Sequence, residues 1–195
     1  MKIKDRAKPK IPPVAEGVYM AICVGIIDLG EQYSEMFKSY SNKVKVVWEL
    51  MGETVEVDGE QKPRQLSRDF TISSSQKAKL REFISTWVTK TFSDEEFAEF
   101  DLFDLLGRAC QVSVVHNETH EYANVNSVMA IPKGFPVPTT TTELIKWDMQ
   151  AWDDEAFAKL PEWYQEQIKK STEYQKDHAP ETTAEVKAEE KECPI

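Results

Sequence analysis

Cysteine is scarce in this 195-residue chain: Cys23, Cys110 and Cys193 are three in number and far apart. An odd, scattered set excludes a disulfide framework and a zinc-ligand cluster, and points to a reducing cytoplasm. Long apolar runs are missing too. No stretch approaches the roughly 18 residues a transmembrane helix needs, so no membrane role is expected. Nor is a secretory leader expected, because the basic stretch 1–10 runs into polar, proline-containing sequence instead of an apolar segment. There is no P-loop, no Gly-x-Gly-x-x-Gly, no Gly-x-Ser-x-Gly and no Cys–His arrangement.

Two clusters that could carry metal chemistry read more simply. His116 and His120 stand four apart in His-Asn-Glu-Thr-His, a spacing that aligns two ligands on a helix but here spans a hairpin turn. They are taken as polar turn residues. Asp94, Glu95, Glu96 and Glu99 fall at a helix N-terminus, where carboxylates favour the helix dipole without any metal. Asn117-Glu118-Thr119 fits a glycosylation acceptor that would be idle in the cytoplasm. No catalytic residue, metal or cofactor is therefore expected, and the chain is read as a non-enzyme.

Positive charge is in short supply as well, 24 Lys and Arg against 34 Asp and Glu, a net −10. The deficit is uneven. Residues 1–140 hold 17 basic and 20 acidic residues, whereas 141–195 hold 7 and 14. An acidic sum does not exclude a polyanion ligand, because recognition depends on the binding face. What the chain does have is a hydrophobic fraction of 41% and five tryptophans, enough for a folded body.

Residues 1–14 (with Lys2, Lys4, Arg6, Lys8 and Lys10) form a basic, flexible arm. The body is placed at 15–135. Val18 to Ile27 reads as a first strand, with Gly25 as a bulge and Asp28-Leu29-Gly30 as its close. Glu31 to Ser41 reads as a polar loop. Lys43 to Leu50 alternates, Val44, Val46, Trp48 and Leu50 facing one way. Leu66 to Ile72 is a third strand after an Asp58-Gly59 turn. Leu80, Phe83, Ile84 and Trp87 then make a helical stripe. A capping box at Ser93 and Glu96 starts a second helix, carrying Phe97, Phe100, Phe103 and Leu106 as far as Gly107. Ala109–His116 and Tyr122–Ile131 close the body as strands. Residues 136–178 read as a linker followed by a partly helical docking segment with Trp147, Trp152, Phe157, Trp163 and Tyr164 as anchors. Residues 179–195 are expected to be a disordered acidic tail.

Three strands, a helical insertion and two strands define a mainly β fold with helices between strands 3 and 4, a five-stranded OB-like barrel. In such a barrel the face of strands 2 and 3, with loops 1–2 and 4–5, takes the ligand. Cations and aromatic rings fall there: Lys38, Lys43, Lys45, Arg64 and Arg68 to follow phosphates, Tyr33, Tyr40, Phe70 and Tyr122 to stack on bases. That is the equipment for gripping single-stranded nucleic acid.

The tail ends Glu189-Glu190-Lys191-Glu192-Cys193-Pro194-Ile195. It resembles the tail tip of bacterial single-stranded DNA-binding proteins, where an acidic run precedes a terminal Pro-Phe that docks replication and repair partners. It departs from that tip in using Glu for Asp, in Lys191, and in ending on Ile195. The resemblance implies partner binding by Glu189, Glu190, Glu192, Pro194 and Ile195.

The body is similar to a family of bacteriophage OB-fold single-stranded DNA-binding, replication-associated proteins. The likeness lies in Gly17-Val18-Tyr19-Met20-Ala21, Trp48-Glu49-Leu50, Arg68-Asp69-Phe70-Thr71-Ile72-Ser73, Leu105-Leu106-Gly107-Arg108-Ala109-Cys110 and Ile131-Pro132-Lys133-Gly134. Leu160-Pro161-Glu162-Trp163 extends it past the barrel. It implies coating of single-stranded DNA during phage replication or recombination in the host cytoplasm, with replication proteins as partners of the tail. The alternative is a phage-encoded inhibitor or adaptor whose acidic C-terminal region mimics DNA. Oligomeric state and DNA against RNA preference are left open.

Overall fold

Why Val18–Ile27 is apolar without alternation becomes clear in the computed structural model, which describes residues 11–177 apart from Asp58 and Ser74. The arm residues 1–10 and the tail residues 178–195, with the expected partner-binding positions Glu189, Glu190, Glu192, Pro194 and Ile195, lie outside the described residues. The strands are β1 (Gly17–Ser34), β2 (Ser39–Val57), β3 (Glu60–Thr71), β4 (Ala109–His116), β5 (Ala123–Met129) and β6 (Ile145–Trp147). The helices are α1 (Lys79–Val88), α2 (Asp94–Ala98), α3 (Asp154–Lys159), α4 (Glu162–Ile168) and α5 (Thr172–Asp177). The sheet order is β3-β2-β1-β4-β5, antiparallel throughout, and β6 adds to β1 in parallel at Gly25–Ile27.

Both faces of β1 and β2 are buried, the condition under which a strand reads as a continuous apolar run. Ala21, Cys23, Ile26, Val44, Val46, Trp48 and Leu50 face a first core, shared with Val112, Val125 and the α1 stripe Leu80, Phe83, Ile84 and Trp87. Ile22, Val24, Ile27, Leu29 and Val47 face a second core built with Trp147, Phe157, Leu160, Tyr164 and Ile168. The C-terminal segment is thus a layer on the outer face of the sheet. Four of its five expected anchors pack there, and Trp163 stays exposed.

The expected barrel is not closed. The order holds six strands in an open sheet, and no ladder joins its ends, β3 and β5. Arg68 stands in the gap, its guanidinium donating to the carbonyls of Val125 and Asn126 and lying 4.8 Å from the Phe83 ring. Backbone acceptors that a ladder would use are taken by a side chain.

Glycine positions bend β1 without ending it. The register slips at Cys23/Gly25, as expected, and again at Asp28/Gly30. Gly30 (φ +67°), expected to close the strand, forms a bulge instead, and pairing continues to Ser34. The presumed loop Glu31–Ser41 is therefore a hairpin arm with a short turn at 35–38. A further slip, at Ser113/Val114 opposite β5, changes which β5 residues face inward. Val125 and Val128 are buried, and Met129, expected on the apolar side, is turned outward. The capping box forms as expected, Ser93 Oγ accepting the Glu96 N–H and Glu96 accepting the Ser93 N–H. The helix it opens is shorter than the sequence suggests, and Phe100 and Phe103 follow it outside regular α-helix. No helix among the described residues is long and apolar enough to cross a membrane.

Candidate nucleic-acid interface

The nine expected contact residues do not form one surface. Two are removed by burial. Phe70 is 3% exposed, in edge contact with Trp48 and Phe83, so it is a core ring and no platform for a base. Lys45 is 7% exposed under the C-terminal layer, where its ammonium is paired with Asp69. That layer also covers Glu49, whose carboxylate accepts the hydroxyls of Thr140 (2.9 Å) and Thr142. The outer face of β2, expected to take the ligand, is thus covered where Lys45, Val47 and Glu49 lie. α4 reaches across to Asp69: burial raises the Tyr164 phenol above its usual pKa, and the Asp69 carboxylate adds to the effect.

Two more belong to the far end of the sheet. Tyr122, 62% exposed, sits in the β4–β5 turn, beyond the point where Val114 meets Gly17 at the start of β1. Arg64 lies near the β2–β3 end and donates to Pro12 O at 2.8 Å. Arg68, as described, bridges β3 and β5. Burial lowers its pKa below the ordinary guanidinium value, opposed by the nearby Glu82 carboxylate.

The remaining residues gather at the opposite end of the sheet. Tyr33 and Tyr40 face each other across the β1–β2 arm, ring centroids 5.0 Å apart, both exposed. Phe37 and Lys38 occupy the turn; Phe37 is 75% exposed, and Lys38 adopts φ +46°. Three residues along from Tyr40, Lys43 donates to Thr71 Oγ1 at 2.6 Å. The β3–α1 loop leaves the sheet here, the Ile72 N–H donating to Asn42 O at 2.9 Å.

Beside this loop is a cleft of about 410 Å³ lined by Lys43, Arg68, Asp69, Phe70, Thr71, Ser73, Ser75, Lys77, Ala78 and Lys79. Four cations line it against one carboxylate, and that carboxylate is already paired with Lys45. Lys79 makes an ion pair with Glu82 at 2.8 Å, while Lys77 has no acidic partner among the described residues. The first turn of α1 opens beside it, and its N-cap residue, Ala78, offers no side-chain acceptor to its amides. Lys77 and Lys79 were missed from the sequence. The available signal was two lysines in a Ser-rich stretch just before the helical stripe, which reads as ordinary helix-flanking polarity.

Cys23 and Cys110 are free and buried in the first core. Burial pushes the Cys23 thiol up to about 12, and raises Cys110 well above its ordinary value, so neither is a nucleophile at neutral pH. No family model, curated protein or solved structure matches this chain.

Proposed function

We propose that the protein is a non-enzymatic, largely sequence-independent binder of single-stranded DNA, working through the cleft between β3 and α1 and the adjoining β1–β2 arm. One observation carries this reading: four cations and three hydroxyl side chains surround a cleft whose single carboxylate is neutralised, a few residues from an exposed tyrosine pair. Phosphates need the first feature. Bases need the second, since stacking on an aromatic ring contributes about 1–3 kcal/mol per base whatever the sequence. The strand order, with β3 facing β5 across a gap, supports an opened OB-like architecture. On this reading, and following the resemblance to phage replication proteins, the activity belongs to phage DNA replication or recombination in the host cytoplasm, with the acidic tail recruiting partners.

The test is fluorescence anisotropy of a labelled oligo-dT over a range of salt. Binding should weaken steeply with salt, because neutralised phosphates release counterions. Lys77→Ala and Lys43→Ala should each lower the salt slope by about one. Tyr40→Ala should cost about 1–3 kcal/mol of affinity while leaving the slope unchanged. Tyr122→Ala and Arg64→Ala, at the other end of the sheet, should change neither. A salt-insensitive complex would contradict the phosphate-tracking reading, and no complex together with co-purification of a host protein would replace it with the adaptor.

A further inference from the structure

The β4–β5 turn brings two imidazoles together in a way that nucleic-acid binding does not use. Asn117 builds the turn: its Oδ1 accepts the N–H groups of Glu121 and Tyr122, both at 3.0 Å, and its carbonyl accepts the His120 N–H at 2.9 Å. His120 is held in the left-handed region (φ +55°), which returns its ring towards His116. The rings stand at 89° with their Nδ1 atoms 3.4 Å apart.

His116 is oriented from behind. Its Nε2 lies 2.8 Å from Val14 O, and a carbonyl only accepts, so Nε2 carries the proton and Nδ1 keeps its lone pair, with His120 Nδ1 beside it. A ring nitrogen fixed in this way by a backbone carbonyl is the usual support of a metal-ligating histidine. The Nδ1 separation fits the same role. It is long for a hydrogen bond of about 2.7–3.2 Å. Two nitrogens each about 2.0–2.1 Å from a tetrahedral ion are about 3.3–3.4 Å apart.

From this geometry we propose that His116 Nδ1 and His120 Nδ1 chelate a borderline divalent transition ion of the zinc, cobalt or nickel class. No third His, Cys, Asp or Glu completes the set among the described residues, so water fills the other positions and the ion exchanges readily. Its consequence is mechanical. His116 is tied to the N-terminal segment at Val14 O and, through its backbone N–H, to the Glu16 carboxylate at 2.7 Å. An ion held by both rings therefore fastens that segment to the β4–β5 turn.

The experiment is titration of the full chain with Zn²⁺ by calorimetry, and with Co²⁺ by visible absorption. The variants are His120→Asn, chosen because Asn tolerates the left-handed backbone, and His178→Ala as a control for the third histidine. One saturable equivalent is expected, weakened at least tenfold in His120→Asn and unchanged in His178→Ala. Amide signals of residues 14–16 and 116–122 should broaden first when Ni²⁺ is added. Absence of saturable binding, binding indifferent to His120→Asn, or binding abolished by His178→Ala would each overturn the assignment. Oligo-dT binding is recorded alongside with and without Zn²⁺, and its loss or retention bears on the cleft alone.

Discussion

Asp28 is a carboxylate placed where solvation is poor. It lies beside the β1 bulge and accepts the Gly30 N–H at 2.9 Å and the Met149 backbone N–H. Burial raises its pKa above the ordinary 3.8; the two backbone donors oppose the rise, and the neighbouring Asp148 and Glu173 carboxylates add to it. The folded state therefore holds the Asp28 proton more tightly than the unfolded chain does. Its contribution is fully present below the unfolded value and is lost as pH rises through the folded one, so at pH 7 the ionised group weakens the fold. Asp28→Asn retains an oxygen acceptor for the Gly30 N–H and removes the charge. It should be as stable as the parent or more so at pH 7, and should lose that advantage below pH 3.8. Urea denaturation at the two pH values measures this; a variant less stable at pH 7 would show that the negative charge itself holds the bulge.

The bulge matters because an element docks on it. Gly30 lies under α5: a Cβ there would come within 2.7 Å of Glu173 Oε2 and 2.8 Å of Ser171 Cβ, on a backbone at φ +67°. Glu173 also accepts the Glu31 N–H at 2.9 Å, and Gln32 reaches back to Gln167 O. Gly30→Ala should therefore cost about 1–3 kcal/mol from the left-handed backbone alone, and more from displacing α5. Trp152, which packs against Tyr174 and Phe157, would report the displacement as a red-shifted emission. An unchanged spectrum with unchanged stability would mean that the layer yields freely. The same position shows what the sequence could and could not convey. The alternation in β2 was legible because its second buried face carries the charged Lys45 and Glu49, and the Leu80–Trp87 stripe because one face of α1 meets one core. Gly30 reads as a strand end because its φ suits a turn as well as a bulge, and the true continuation, Glu31–Ser34, is polar. Lys45 and Glu49 read as solvent-facing because the groups that satisfy them, Asp69, Thr140 and Thr142, are distant in sequence. The C-terminal layer was legible only as scattered anchors, since Trp147, Trp152 and Phe157 come from a short strand, a connecting turn and a helix, at a spacing that matches neither a helix nor a strand.

For the molecule as a whole, the central conflict is between its net charge of −10 and a polyanion ligand. The cationic and acidic parts occupy different elements and approach each other at Asp69, which lines the cleft and lies near Tyr164 of the C-terminal layer. The cationic cleft opens at the β3–α1 junction, while the acidic C-terminal segment packs as a layer on the outer face of β1 and β2. Long-range repulsion remains, and residues 178–195 add to it with five acidic and two basic side chains. Truncation after Asp177 leaves every described contact in place and moves the net charge from −10 to −7. Oligo-dT affinity should then rise severalfold at about 0.01 M salt, where charges act over about 30 Å, and the gain should shrink towards about 0.15 M, where they act over about 8 Å. Replacing Glu189, Glu190 and Glu192 with Gln should reproduce the gain, since charge and not chain length is responsible. A truncated protein that binds no better at low salt would mean that these carboxylates stay beyond the reach of the cleft. A gain that persists undiminished at high salt would instead indicate a segment that blocks the cleft by contact.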